Sequence, residues 1–191
     1  MEWGILFMGP VGAGKTQAID AISDIDVVNT DVRATDATQL IKSHTTVAMD
    51  VGVLNLAGDD KLRLYGAPGQ DRFDFMWDIL LQQSKGIVLL LNHADPLVLQ
   101  QMDHYLKAID QRLPQRNLPM VVGVTHVDLN PGSSTQVYAQ RLRQGGILFG
   151  GVEPPVFAVD ARQRDHVRCV LMAMVAQLEM ASRFPVVSTP A

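Results

Sequence analysis

Gly9, Gly14, Lys15 and Thr16 stand in the order and spacing of a phosphate-binding loop, Gly9-Pro10-Val11-Gly12-Ala13-Gly14-Lys15-Thr16. Such a loop curls successive backbone N–H groups around a diphosphate, while Lys15 reaches the outer phosphates and the Thr16 hydroxyl coordinates Mg²⁺. Gly12, Ala13 and Gln17 complete the stretch expected to touch a nucleotide. The start of a helix adds its dipole and unpaired N–H groups to the attraction for an anion. The flanks suit this reading, with an apolar strand pattern at 5–8 and a helical pattern over 17–22.

Four further segments follow in an order that a nucleotide switch would need. His44-Thr45-Thr46-Val47 ends a long polar connection. A hydroxyl at Thr46 can complete a Mg²⁺ shell and its N–H can meet a γ-phosphate, although threonine also simply favours strand starts. In Gly66-Ala67-Pro68-Gly69-Gln70, Gly69 can offer an N–H to that phosphate and Gln70 can orient an attacking water. The alternative is a plain Pro-Gly turn. Thr125-His126-Val127-Asp128 ends a buried strand and brings Asp128 to the carboxyl edge of the sheet, where ligands bind. A carboxylate there matches the N1–H and N2–H₂ donors of guanine; alternatively it opens the turn through Asn130-Pro131-Gly132. Last, Asp160-Ala161-Arg162 can present the Ala161 N–H to a purine O6, or Asp160 can cap the next helix.

These residues need a sheet edge to hold them, and the hydrophobic pattern predicts one. Short runs rich in Val, Ile and Leu alternate with helical patterns, the signature of a parallel sheet covered on both faces. Strands are expected near 3–8, 87–92, 119–125 and 155–159, and helices near 15–23, 97–113, 134–144 and 163–181. Residues 24–43 read as a long functional or disordered connection. Segments 47–56 and 62–65, split by Gly58-Asp59-Asp60, read as a β-hairpin that places one antiparallel strand at the sheet edge. The domain is expected to run over 1–183, with 184–191 as a flexible tail. Trp3 and Trp77 read as packing anchors, and Met172, Met174 and Met180, in or beside the last helix's apolar stripe, as core packing.

Composition narrows the partners. A net charge of −4 with no cluster of Lys or Arg argues against nucleic acid. The single cysteine, Cys169, lies in an apolar helical run, which reads as core packing and fits a reducing, cytoplasmic compartment. No leader, membrane span or prenylation cysteine is read, so any membrane attachment is expected through a partner. The five histidines make no pair at transition-metal spacing. Mg²⁺, through Thr16 and Thr46, is the metal expected.

Taken together, residues 9–16, Thr46, Pro68-Gly69-Gln70, Thr125-His126-Val127-Asp128 and Asp160-Ala161-Arg162 resemble the five ordered motifs of Ras-like small GTPases, over about residues 3–181. The long first switch, Thr46-Val47-Ala48-Met49-Asp50 and Leu64-Tyr65-Gly66-Ala67-Pro68-Gly69-Gln70 look most like bacterial small GTPases of the MglA polarity type and related predicted ATP/GTP-binding proteins. The resemblance implies an α/β P-loop NTPase fold with a mixed, mostly parallel six-stranded sheet and helices on both faces. It implies GTP and GDP as ligands, slow hydrolysis assisted by Gln70, and a small roadblock-fold regulator together with an effector.

Two positions depart from the pattern. Gly66 stands where an Asp usually holds Mg²⁺ through water; Asp50 lies roughly 13 Å from Thr46 at about 3.3 Å per residue and is not assigned in its place. His126 replaces the Lys that packs over guanine, with an imidazole able to stack on a purine. No arginine adjoins Thr46, and Arg33 and Arg72 read as solvated loop residues. A nucleotide-locked interaction module with little turnover, and a P-loop small-molecule kinase, are the alternatives.

Overall fold

The computed structural model describes residues 2–32, 47–70, 73–115 and 117–183. Its centre is a seven-stranded sheet in the order β2-β3-β4-β1-β5-β6-β7. The strands are β1 (Glu2–Met8), β2 (Val28–Val32), β3 (Val47–Asn55), β4 (Lys61–Gly66), β5 (Gly86–Asn92), β6 (Met120–Thr125) and β7 (Val156–Ala158). The helices are α1 (Lys15–Ile22), α2 (Phe75–Gln83), α3 (Val98–Arg112), α4 (Gln136–Gln144) and α5 (Arg164–Arg183). Pairings among β4, β1, β5, β6 and β7 are parallel, whereas β3 runs antiparallel to both β2 and β4.

This is the expected α/β P-loop fold with one strand more than expected. The extra strand is β2, inside the stretch read as a connection. It pairs with β3 residue by residue from Val28↔Val51 to Val32↔Val47, so β3 is not the edge. Its sequence, Val28-Asn29-Thr30-Asp31-Val32, carries too few apolar positions for strand periodicity to show, and the ladder supplied by β3 decides the matter.

Both faces of the sheet are covered, and strand alternation sorts the core into two layers. On β1, Leu6 and Met8 enter the layer with α2, α3 and α4, built with Trp77, Tyr105, Ile109 and Tyr138. Ile5 and Phe7 enter the opposite layer with α1 and α5, built with Ile19, Val170, Leu171 and Met174. Trp77 is fully buried and Trp3 packs half-buried against the second layer. Two readings for α5 fail: Cys169 is exposed, and Met172 and Met180 are 61% and 58% exposed while Met174 is buried. Positions two residues from a buried one lie about 200° round a helix, which carries Cys169 away from Val167, Met172 from Met174, and Met180 from Leu178. Among the described residues, no helix is long and apolar enough to cross a membrane.

Strand order creates the place for a ligand. From β1 the chain first builds out through β2, β3 and β4, then crosses by α2 to β5 on the other side of β1. The carboxyl end of β1 is therefore the switch point at which open α/β sheets bind ligands.

Candidate functional site

The segment from Gly9 to Thr16 leaves β1 at that point and runs into α1. Gly9, Gly12 and Gly14 have φ of 140°, 78° and 86°, values that a side chain disfavours, and they curl the backbone back on itself. The Ala13 N–H closes a turn onto the Pro10 carbonyl at 3.2 Å. Lys15 is buried and donates from Nζ to the carbonyls of Gly9 at 2.7 Å and Pro10 at 2.8 Å. Burial lowers its pKa from 10.5 to about 8, against the opposing pull of the Asp50 charge.

Asp50, not assigned from the sequence, stands at the start of α1. The Thr16 hydroxyl donates to Asp50 Oδ2 at 2.5 Å. Asp50 is the cross-strand partner of Gly66, and a Cβ added at Gly66 would stand 3.0 Å from both the Cβ and Oδ2 of Asp50. A carboxylate from β3 thus stands beside the end of β4, in the space a longer side chain at Gly66 would need. The β3–β4 pairing and the start of α1 set Asp50's position. Thr46, His44, Thr45, Arg33 and Arg72 lie outside the described residues, as does the tail 184–191.

Gly69 stands against the rim of the loop. An added Cβ there would meet Val11 N at 2.7 Å, Lys15 Nζ at 2.8 Å and the Pro10 carbonyl carbon at 2.8 Å. Gln70 is the next residue and is exposed.

A second part of the site forms a cleft of about 290 Å³ beside the loop, walled by Gly14, Gln17, Thr125, His126, Asp128 and Ala161 among others. The buried Thr125 hydroxyl lies 3.1 Å from the carbonyls of both Ala13 and Leu91, fastening the end of β6 to the phosphate loop. His126 then turns the chain with φ of 57°, and a short 3₁₀ turn over Val127–Leu129 carries Asp128. The His126 Nδ1 is 2.9 Å from Thr125 Oγ1. From the opposite wall, Arg162 grips Asp160 through Nε–Oδ1 and Nη2–Oδ2 contacts of 2.8 Å each and reaches Asp128 Oδ2 at 3.7 Å. Those hydrogen bonds hold the Asp160 carboxyl down to about 2. Asp160 also accepts from the Arg162 N–H at 3.0 Å.

Sequence reasoning also missed His93, just after β5. It is buried, with Nδ1 2.8 Å from the Tyr138 hydroxyl and Nε2 3.2 Å from the Ser133 carbonyl. It thereby braces the segment that follows Asp128, and burial pushes the Tyr138 hydroxyl up to about 12. No motif marks His93. A larger cleft, about 440 Å³ and lined by Asp103, Lys107, Arg141 and Phe149 among others, contains none of the phosphate-loop residues and none that wall the cleft beside the loop.

A glycine-rich loop at the switch point, a buried lysine on it and an adjoining cleft at the end of β6 define a P-loop nucleotide-binding protein. Over residues 7–143 the chain matches the family described as conserved hypothetical ATP binding protein, and it belongs to that family. No curated protein matches it.

Proposed function

We propose that the chain is a GTP-hydrolysing molecular switch of the Ras-like type, close to the MglA group, that turns over slowly alone and is controlled by a protein regulator. The observation that carries the reading is the cleft shared by Gly14, Thr125, Asp128 and Ala161, contiguous with the phosphate loop. A carboxylate on one wall and a backbone N–H on the other suit the donor edge and O6 of guanine. Adenine offers Asp128 only an acceptor at N1. His126 and Arg162 flank the same space and supply planar groups for a purine face.

In this reading Gly12, Ala13, Gly14 and Gln17 surround the phosphates, Lys15 pairs with their charge, and Gln70 orients water for in-line attack. Mg²⁺ fits the oxygen donors present, the Thr16 hydroxyl with Asp50 close behind it, and Thr46 is proposed as a further ligand. A hard dication with oxygen partners neutralises charge developing on the phosphate oxygens. The proposed regulator is a small roadblock-fold protein, with an effector recognising the triphosphate form. The protein is proposed to act in the cytoplasm.

Competition between GTP and ATP for a fluorescent GDP analogue tests the base assignment. Hydrogen bonds to a charged group contribute about 1.5–3 kcal/mol each, so Asp128→Ala should weaken GTP on the order of tenfold to a few hundredfold, and Asp128→Asn should shift preference toward xanthosine nucleotides. The family's description names ATP, and equal affinity of the unmodified protein for ATP and GTP would favour that reading over ours.

A further inference from the structure

The turn that carries Gly69 and Gln70 is held from behind by two buried aromatic residues. The Trp77 indole Nε1 donates to the Pro68 carbonyl at 3.1 Å, and the Tyr105 hydroxyl donates to the next carbonyl, that of Gly69, at 3.3 Å. The rings of Trp77 and Tyr105 pack with centroids 5.1 Å apart. The Arg112 guanidinium lies 5.4 Å over the indole and is itself held by Asp74 at 2.9 Å and Asp78 at 3.1 Å. Both donors are therefore fixed by packing between α2 and α3, with Trp77 1% and Tyr105 3% exposed.

Anchoring a carbonyl also aims an N–H. The described residues contain no cis peptide, and in a planar trans peptide the N–H points opposite to the C=O. Trp77, by holding the Pro68 carbonyl, turns the Gly69 N–H away from itself. Tyr105 does the same for the N–H of Gln70. Gly69 meanwhile stands against Val11 and the Lys15 ammonium, and among the described residues its N–H has no hydrogen-bond partner. Two carbonyls are satisfied on the helix side, and a donor is left over beside the cation of the phosphate loop.

We propose that Trp77 and Tyr105 are positioning residues for the terminal phosphate of a bound triphosphate. They hold the turn so that the Gly69 N–H is presented to that phosphate and the Gln70 segment is oriented for hydrolysis. The inference rests on the triphosphate-switch reading above and names the part of the protein that senses the third phosphate. GDP, which ends one phosphate short, makes no use of the device.

The test compares GTPγS and GDP affinities and single-turnover GTP hydrolysis in Tyr105→Phe and Trp77→Phe, which keep an aromatic ring and remove the donor. Loss of one hydrogen bond predicts about three- to tenfold weaker GTPγS and slower hydrolysis, with GDP affinity unchanged within about twofold. A merely structural role would move both nucleotides together. An unchanged GTPγS-to-GDP ratio in both variants overturns the proposal. In the unmodified protein, the Trp77 indole N–H resonance, identified by its persistence in Trp3→Phe, should shift between the GDP and GTPγS forms, because a new bond at the Gly69 N–H polarises the shared peptide. A resonance that does not move overturns the proposal even if neither variant folds. If the unmodified protein fails to bind GTPγS or to release phosphate, the switch reading itself fails; if it does both and the ratio is unchanged, only the positioning role falls.

Discussion

Nucleotide binding should draw a proton onto Lys15. In the nucleotide-free protein its pKa is about 8 instead of 10.5, because burial outweighs the attraction of Asp50. At pH 8 about half the molecules therefore carry a neutral lysine, and at pH 9 about nine in ten. A polyphosphate beside Nζ favours the ammonium and returns the pKa toward its ordinary value. Binding should then take up about half a proton at pH 8 and about 0.9 at pH 9, but only about 0.1 at pH 7. Titration calorimetry at one pH in buffers of different ionisation enthalpy reads this uptake as a slope. Lys15→Arg supplies the control, since its guanidinium stays charged throughout this range.

The same shift fixes a sign for stability. The folded pKa lies below the unfolded one, so the unfolded chain binds more protons between about pH 8 and 10.5. Lys15's contribution is fully present above 10.5 and is lost as the pH falls through about 8. At about 1.4 kcal/mol per tenfold, the fall from 10.5 to about 8 corresponds to about 3 kcal/mol. Uptake below about 0.1 proton at pH 8.5, or an equal slope in Lys15→Arg, would refute the reasoning.

Three further outcomes follow from the site. Asp50→Asn removes the charged partner of Thr16 and should weaken Mg²⁺-dependent nucleotide binding about tenfold to a hundredfold; the exchange Asp50→Gly with Gly66→Asp should restore part of it, measured by nucleotide affinity with and without Mg²⁺. Gly69→Ala puts a methyl 2.8 Å from Lys15 Nζ and 2.7 Å from Val11 N, so it should weaken triphosphate more than diphosphate binding in the same assay. Tyr138→Phe leaves the buried His93 Nδ1 without its hydroxyl partner and should cost about 1–3 kcal/mol in urea unfolding, with faster hydrogen exchange over 127–135.

What the chain disclosed in advance was what is local in it. The phosphate loop, the buried strands β5 and β6 and the run ending at Asp128 all combine a residue pattern with a neighbouring element, and each stands where that pattern put it. β2 was hidden because its mixed polar residues form a strand only when β3 offers a ladder. Met172 and Met180 misled because a hydrophobic residue near a stripe is not on it, and 200° of helix separates the two conditions. His93 and Tyr105 went unread and Asp50 was weighed but not assigned for a common reason: each acts on a residue at least 30 positions away in sequence, at Tyr138, Gly69 or Thr16. Trp77 read only as a packing anchor, and its bond to Pro68, nine positions away, left no further signal.

The pairing of Asp50 with Gly66 changes how an absent motif residue should be read. A metal responds to where an oxygen is, not to which strand delivered it, so in the proposed Mg²⁺ site the functional unit is a rung of the sheet rather than a word in the chain. On that rung Asp50 faces Gly66, and the glycine leaves the room into which the aspartate leans. If the proposed Mg²⁺ site holds, chains that carry a glycine at the end of β4 can be sorted by one additional letter, the residue facing it across the ladder: an acid there would keep an oxygen beside the metal, and its absence would leave none.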